Sequence, residues 1–165
     1  MLVPGFAVRL QGMKSASHIT IDESLWPLIV VRMSGTPSDR QFEDYLAVRQ
    51  SQLDRQEKHV IIYDAVRLHV LTNEQRQRQI DWFKARTPLM RQYKLGSALV
   101  ITSPLVRLTL SVIQHFVQGG MPYYAARSVQ DAAAWSSARF AEAGLLDAAQ
   151  RVREHFGLNP QRSMG

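Results

Sequence analysis

The sequence predicts an α/β fold: a mostly parallel central sheet of about five strands with an antiparallel N-terminal hairpin, in the order ββαβαβαβα plus an extra C-terminal helix. Three observations predict it. Short β-branched runs alternate with stretches of helical spacing, the pattern that builds parallel sheets. The first two runs are separated by a short connection and so pair as a hairpin. The helical stretches open on capping signatures.

The elements follow in order. "HITID" alternates isoleucine with polar residues, and "PLIVVRMSG" is a more continuous apolar run, joined to it around Leu25–Trp26. "TPSDRQ" offers Thr or Ser as N-cap with proline and acid in the first turn. The helix behind it lines up Phe42, Tyr45, Leu46, Arg49 and Leu53 on one stripe. "HVIIYDA" is a buried strand by its β-branched density. "TNEQ" makes a capping box of Thr72 and Gln75 for a helix carrying Ile80, Phe83, Thr87 and Met90, which Pro88 should kink or restart. "LGSALVITSP" is a strand with Pro104 opening the next helix, and "MPYYAARSV" is the last strand. A helix from "SVQDAAAW" closes at Gly144, and "LLDAAQRVREHFGL" forms the extra one.

A chain of 165 residues, 45% hydrophobic and 21% charged, suits one domain with a proper core. The expected division is a loosely ordered extension over 1–17, the domain proper over 18–143, and an appended helix and tail over 144–165. Residues 1–12 read as an extension upstream of an alternative start at Met13. Without cysteine there is no disulfide, thiolate nucleophile or thiolate metal ligand. No apolar run approaches the ~20 residues of a membrane span, and Pro4, Gly5 and Arg9 spoil a signal-peptide core, so a cytoplasmic protein is expected.

The hairpin ending "VVRMSG", the strand "VIIYDA" before a capped helix, the strand "SALVITSP" and the helix start "SVQDAAAW" together resemble the SpoIIAA-like proteins of the STAS/SEC14 group, over roughly residues 18 to 143. The resemblance implies a fold related to the anti-sigma-factor antagonists on one side and to the lipid-carrying SEC14 lobe on the other. It implies a phosphorylated Ser or Thr at the start of the second helix, and Thr72 falls at that site or one position before it. The run "LTNEQ" lacks the glycine and adjacent acid of the antagonists, and a capping role already accounts for Thr72.

Catalytic signatures do not assemble. Asp64 sits where α/β proteins place functional groups. A phosphorylated receiver would also need an acidic pair after the first parallel strand and a lysine after the last, and "IVVRMSG" and "PYYAARS" supply neither. Asp64 accepting backbone N–H bonds is the better account. The five histidines are scattered, with no H-x-x-x-H pair, and neither a P-loop nor a G-x-S-x-G elbow is present. His69 could pair with Asp64, and with Thr72 would make a small hydrolase or transferase site, the third-ranked reading. No enzyme, cofactor or metal is expected.

Net charge is +6, which favours an acidic partner. Arg76, Arg78, Lys84, Arg86, Arg91 and Lys94 stand against Asp81 alone in residues 76–94. Leu105, Leu108, Val112 and Phe116 belong to an apolar arc on helix 104–118 wider than one sheet face needs. Packing against Leu145, Leu146, Val152 and Phe156, a homodimer face, or an apolar ligand could cover the excess. With Trp82 and Tyr93, these residues are the ligand or interface candidates. The leading expectation is a non-catalytic regulatory or protein-interaction module with Asp64 and Thr72 as regulatory candidates. The alternative is a binder of an apolar ligand or of an anionic membrane through helices 72–94 and 104–118; nucleic acid ranks lower.

Overall fold

The computed structural model describes residues 18–105, 107, 108, 111 and 121–158. Strands β1 (His18–Asp22) and β2 (Leu28–Gly35) form the antiparallel hairpin. β3 (His59–Leu68), β4 (Lys94–Val100) and β5 (Tyr123–Ala126) follow in parallel, and the sheet order is the chain order. The helices are α1 (Asp39–Asp54), α2 (Asn73–Tyr93), α3 (Val129–Glu142) and α4 (Leu146–His155). Residues 104, 105, 107, 108 and 111 are helical. The remainder of the expected 104–118 helix, Val112 and Phe116 included, lies outside the described residues, as does the expected extension over 1–17.

Successive side chains of a strand point to opposite faces, and this period of two splits the core into two layers. Ile29, Val31, Ile61, Tyr63 and Leu99 meet Phe42, Leu46, Leu53, Phe83 and Met90 of α1 and α2. Leu28, Val30, Val60, Ile62 and Ala98 meet Ala132, Ala133 and Phe140 of α3 and Val152 of α4. Right-handed crossovers along a monotonic strand order send successive crossover helices to one face, which is where α1 and α2 lie. α3 follows the last strand and is free to take the other.

The sequence offered Leu145, Leu146, Val152 and Phe156 as a cover for the 104–118 helix. Among the described residues, Leu145, Val152 and Phe156 pack into the α3 layer and Leu146 is 66% exposed; most of the 104–118 helix lies outside them. The junction explains this. Gly144 at φ +79 reverses the chain after α3, with Leu145 N bonding Phe140 O and Gly144 N bonding Ala141 O, so α4 folds back on α3. α2 neither ends nor restarts at Pro88. The Thr87 hydroxyl donates to Phe83 O at 2.9 Å, adding a bond in the turn where the proline removes one.

Candidate functional site

Toward the C-terminal ends of the strands, the α3-facing row changes from apolar to polar. In β2 it reads Leu28, Val30, Arg32, Ser34, and in β3 Val60, Ile62, Asp64. Antiparallel register places His18 and Thr20 of β1 opposite Ser34 and Arg32. α3 starts at Val129 and packs over the apolar halves of these rows. Their polar halves open into a cleft of about 650 Å³, bounded by β1, β2, β3, the end of β4 and the turn into α3.

A bulge supplies one wall. The β2–β3 ladder steps from Arg32↔Asp64 to Ser34↔Arg67, so β3 carries one residue more than β2 there. The extra residue breaks the alternation, and Val66 and Arg67, which are adjacent in sequence, both line the cleft with Asp64.

Arg32, Arg67 and Arg127 face the cleft against Asp64, its only lining carboxylate among the described residues. Arg32 Nε lies 3.9 Å from Asp64 Oδ2 with its side chain 49% exposed, a loose and largely solvated pair. Among the described residues, neither Arg67 nor Arg127 has a carboxylate within ion-pair distance. At the α3 end, the Asp131 carboxylate accepts Arg127 N at 3.0 Å and the Tyr124 hydroxyl at 2.9 Å. These bonds, that from Arg127 N first, hold its carboxyl below the usual range. His18 Nδ1 is 3.1 Å from Ser34 Oγ, a pair fixed by strand register. The cleft can therefore hold an anion by charge-assisted hydrogen bonds, with Met33, Val66, Val100 and Val129 as its apolar lining.

On the opposite face, a cavity of about 40 Å³ lies among Phe42, Tyr45, Tyr63, Leu71 and Phe83. It has room for water, not for an acyl chain, and falls well below the roughly 300 Å³ at which small-molecule pockets begin.

No family model and no curated protein matches the chain. Among solved structures, an uncharacterized protein from the DUF3478 family with a SpoIIAA-like fold, from Shewanella loihica PV-4, superposes with a TM-score of 0.57, covering 74% of this chain and 97% of that one at 14% identity. The fold is SpoIIAA-like.

The SpoIIAA-like frame separates the residues that the sequence grouped at the end of β3. Asp64 is not in a strand-end loop, because β3 continues to Leu68. Its Oδ1 accepts Val66 N at 3.4 Å. His69 lines a different groove, of about 550 Å³, with Val66, Arg67, Val70 and Leu105. Thr72 is the N-cap of α2: its hydroxyl accepts Gln75 N at 3.1 Å, and Gln75 Oε1 accepts Thr72 N at 3.2 Å. Gln75 also donates to Pro37 O at 2.7 Å, tying the starts of α1 and α2 together. Thr72→Ala should therefore lower stability by about 1 kcal/mol, read by urea unfolding.

The basic face of α2 largely dissolves in the SpoIIAA-like fold. Lys94 is no surface cation: it opens β4 and is 6% exposed. Trp82 is no interface residue either, since its helical phase turns it into the α1–α2 layer at 2% exposure. Arg78 is paired with Glu43 of α1 at 2.7 Å. The Arg86 guanidinium packs 4.4 Å from the Trp82 ring centroid and bonds Gln50, and Arg76 bonds Asn73. Lys84 and Arg91 remain exposed, and Tyr93 is half-buried. The sequence reading passed over Arg32, Arg67, Arg127, His18 and Ser34 as a site. The signal that could have found part of it is the turn from apolar to polar in the alternating row Leu28, Val30, Arg32, Ser34.

Proposed function

We propose that this chain is a non-catalytic STAS-type interaction module that docks an acidic protein segment in the cleft of Arg32, Arg67 and Arg127. The observation that carries the reading is charge: three arginines against one carboxylate, around a volume of about 650 Å³. Cleft arginines can grip carboxylates in pairs, and the apolar lining takes the aliphatic parts of the same segment. A fluorescein-labelled glutamate-rich peptide read by anisotropy tests it. The wild type should bind with strong salt dependence, and Arg67→Glu/Arg127→Glu should weaken binding at least ~10-fold. Equal binding by the double variant removes the cleft from the account.

A second reading is favoured by one further observation. Leu105 and Leu108 are 58% and 62% exposed, and Val66, 42% exposed, borders the same groove as Leu105 and Arg67. Exposed apolar side chains beside a cation suit shallow attachment to an anionic membrane. Flotation with phosphatidylserine vesicles at low salt separates the two. Binding lost in Leu105→Ser/Leu108→Ser, with peptide binding intact, would favour the membrane; no flotation at all would sink it.

A further inference from the structure

At the N-terminal ends of the parallel strands, the last turns of α1 lie near the first residues of β3 and β4. Register pairs His59 with Lys94, and Arg49 of α1 lies close enough for its charge to act on both. Arg49 and His59 are 0% exposed and Lys94 is 6% exposed. Arg49 Nη1 donates to Gln52 Oε1, but Arg49 Nε and Nη2 are buried with no acceptor among the described residues. His59 Nδ1 donates to Glu57 O at 2.9 Å, which leaves Nε2 of the neutral ring a buried acceptor without a partner among the described residues.

The neighbouring carboxylates, Glu23 and Glu57, are partly exposed and bond other partners, Glu23 reaching Arg49 only through Gln52. Glu23 accepts Gln52 Nε2 at 2.7 Å and stands 3.9 Å from Arg55. Glu57 accepts Trp26 Nε1 at 2.7 Å and stands 4.0 Å from Arg55. A buried lysine can escape its desolvation cost by losing its proton, but a guanidinium cannot. A buried cation without a counter-charge costs several kcal/mol, so Arg49 needs negative charge that the described side chains do not deliver.

We propose that Arg49 and Lys94, roofed by His59, form an internal site for one small monovalent anion of the chloride class. The anion accepts the two free N–H groups of Arg49 and a proton of the Lys94 ammonium. Its size is set by the closure above it. The Trp26 indole stacks on His59 at 5.8 Å, and the Arg55 guanidinium lies 3.6 Å over that indole. A larger anion would have to displace that stack. Burial first, and then the Arg49 charge, holds Lys94 down to about 7. Burial likewise holds His59 down to about 4, with Arg49, Lys94 and Arg55 adding to it. The other titratable group beside Arg49 is Tyr45, which burial pushes well above its usual value, so it brings no negative charge. A bound anion would raise Lys94 again.

Chloride itself is the probe, with gluconate replacing it at constant ionic strength. The wild type should broaden the 35Cl magnetic resonance line, and its unfolding midpoint should rise with chloride, as for any ligand of the native state alone. Lys94→Met and Arg49→Met should lose both effects. Arg40→Met, which removes an exposed charge on α1, should keep them. Equal broadening by wild type and Lys94→Met, or a wild-type midpoint indifferent to chloride, would overturn the site and leave bridging water as the partner of Arg49. Lys94→Met keeps the test decisive should Arg49→Met fail to fold, because it retains a buried aliphatic chain of similar length.

Discussion

Lys94→Met is expected to stabilise the protein by about 5 kcal/mol at pH 6 in buffer without chloride. The Lys94 ammonium is buried beside Arg49, and this holds its pKa at about 7 against an ordinary 10.5. Between those two values the unfolded chain binds more protons than the folded one, so stability rises with pH across the window. The contribution is complete above pH 10.5 and is lost as pH falls through 7. Methionine fills the same space without a charge, so its stability should be flat across that window, and the two proteins should converge near pH 11. Urea unfolding at pH 6, 8 and 10 reads this directly. A variant less stable than wild type at pH 6 would mean that Lys94 is paired in the native protein. Below pH 6.5 a second loss appears in both proteins, because His59 stays neutral down to about 4 in the fold and charges at about 6.5 when unfolded.

Phe140→Ala is expected to cost about 3–5 kcal/mol, the usual range for emptying a buried phenylalanine site. Its side chain is 0% exposed and joins α3 to Val60, Ile62 and Val152, so the cavity opens where three elements meet. The backbone bond from Leu145 to Phe140 survives the change, which confines the loss to packing. Phe140 belongs to the α3 layer, whereas Lys94 stands near Phe83 of the other layer, so the double variant should be additive within roughly 0.5 kcal/mol. A loss under 1 kcal/mol from Phe140→Ala would mean that α3 and α4 collapse easily onto the sheet.

The element order was legible in the sequence because each element carried its own local signal. Thr72 and Gln75 close a capping box three residues apart, Ser38 and Gln41 do the same for α1, and Gly144 takes the left-handed conformation that ends α3. The cleft was less legible because it takes one or two residues from each of several elements. Nothing local to Arg32 or Arg127 says that the two face one volume. The basic helix misled for the converse reason. A helical wheel shows six cations on residues 76–94 but cannot show Glu43 on the neighbouring helix or the start of β4 at Lys94. Asp64 was placed at a strand end because the β-branched run stops there, whereas the ladder continues across the bulge to Leu68.

That extra residue in β3 makes the cleft sensitive to chain length as well as to side-chain chemistry. Deleting Val66 would remove the bulge and let the ladder run in step, with Arg67 still opposite Ser34 and Leu68 still opposite Gly35. Arg67 would then occupy the position next after Ala65 and keep its face, but the cleft would lose one of two adjacent wall residues. Deleting Arg67 instead would put Val66 opposite Ser34 and leave Leu68 opposite Gly35, removing a cation from the cleft without turning the strand. Single-residue deletions across 65–68 would thus report on this region in a way that no alanine scan can.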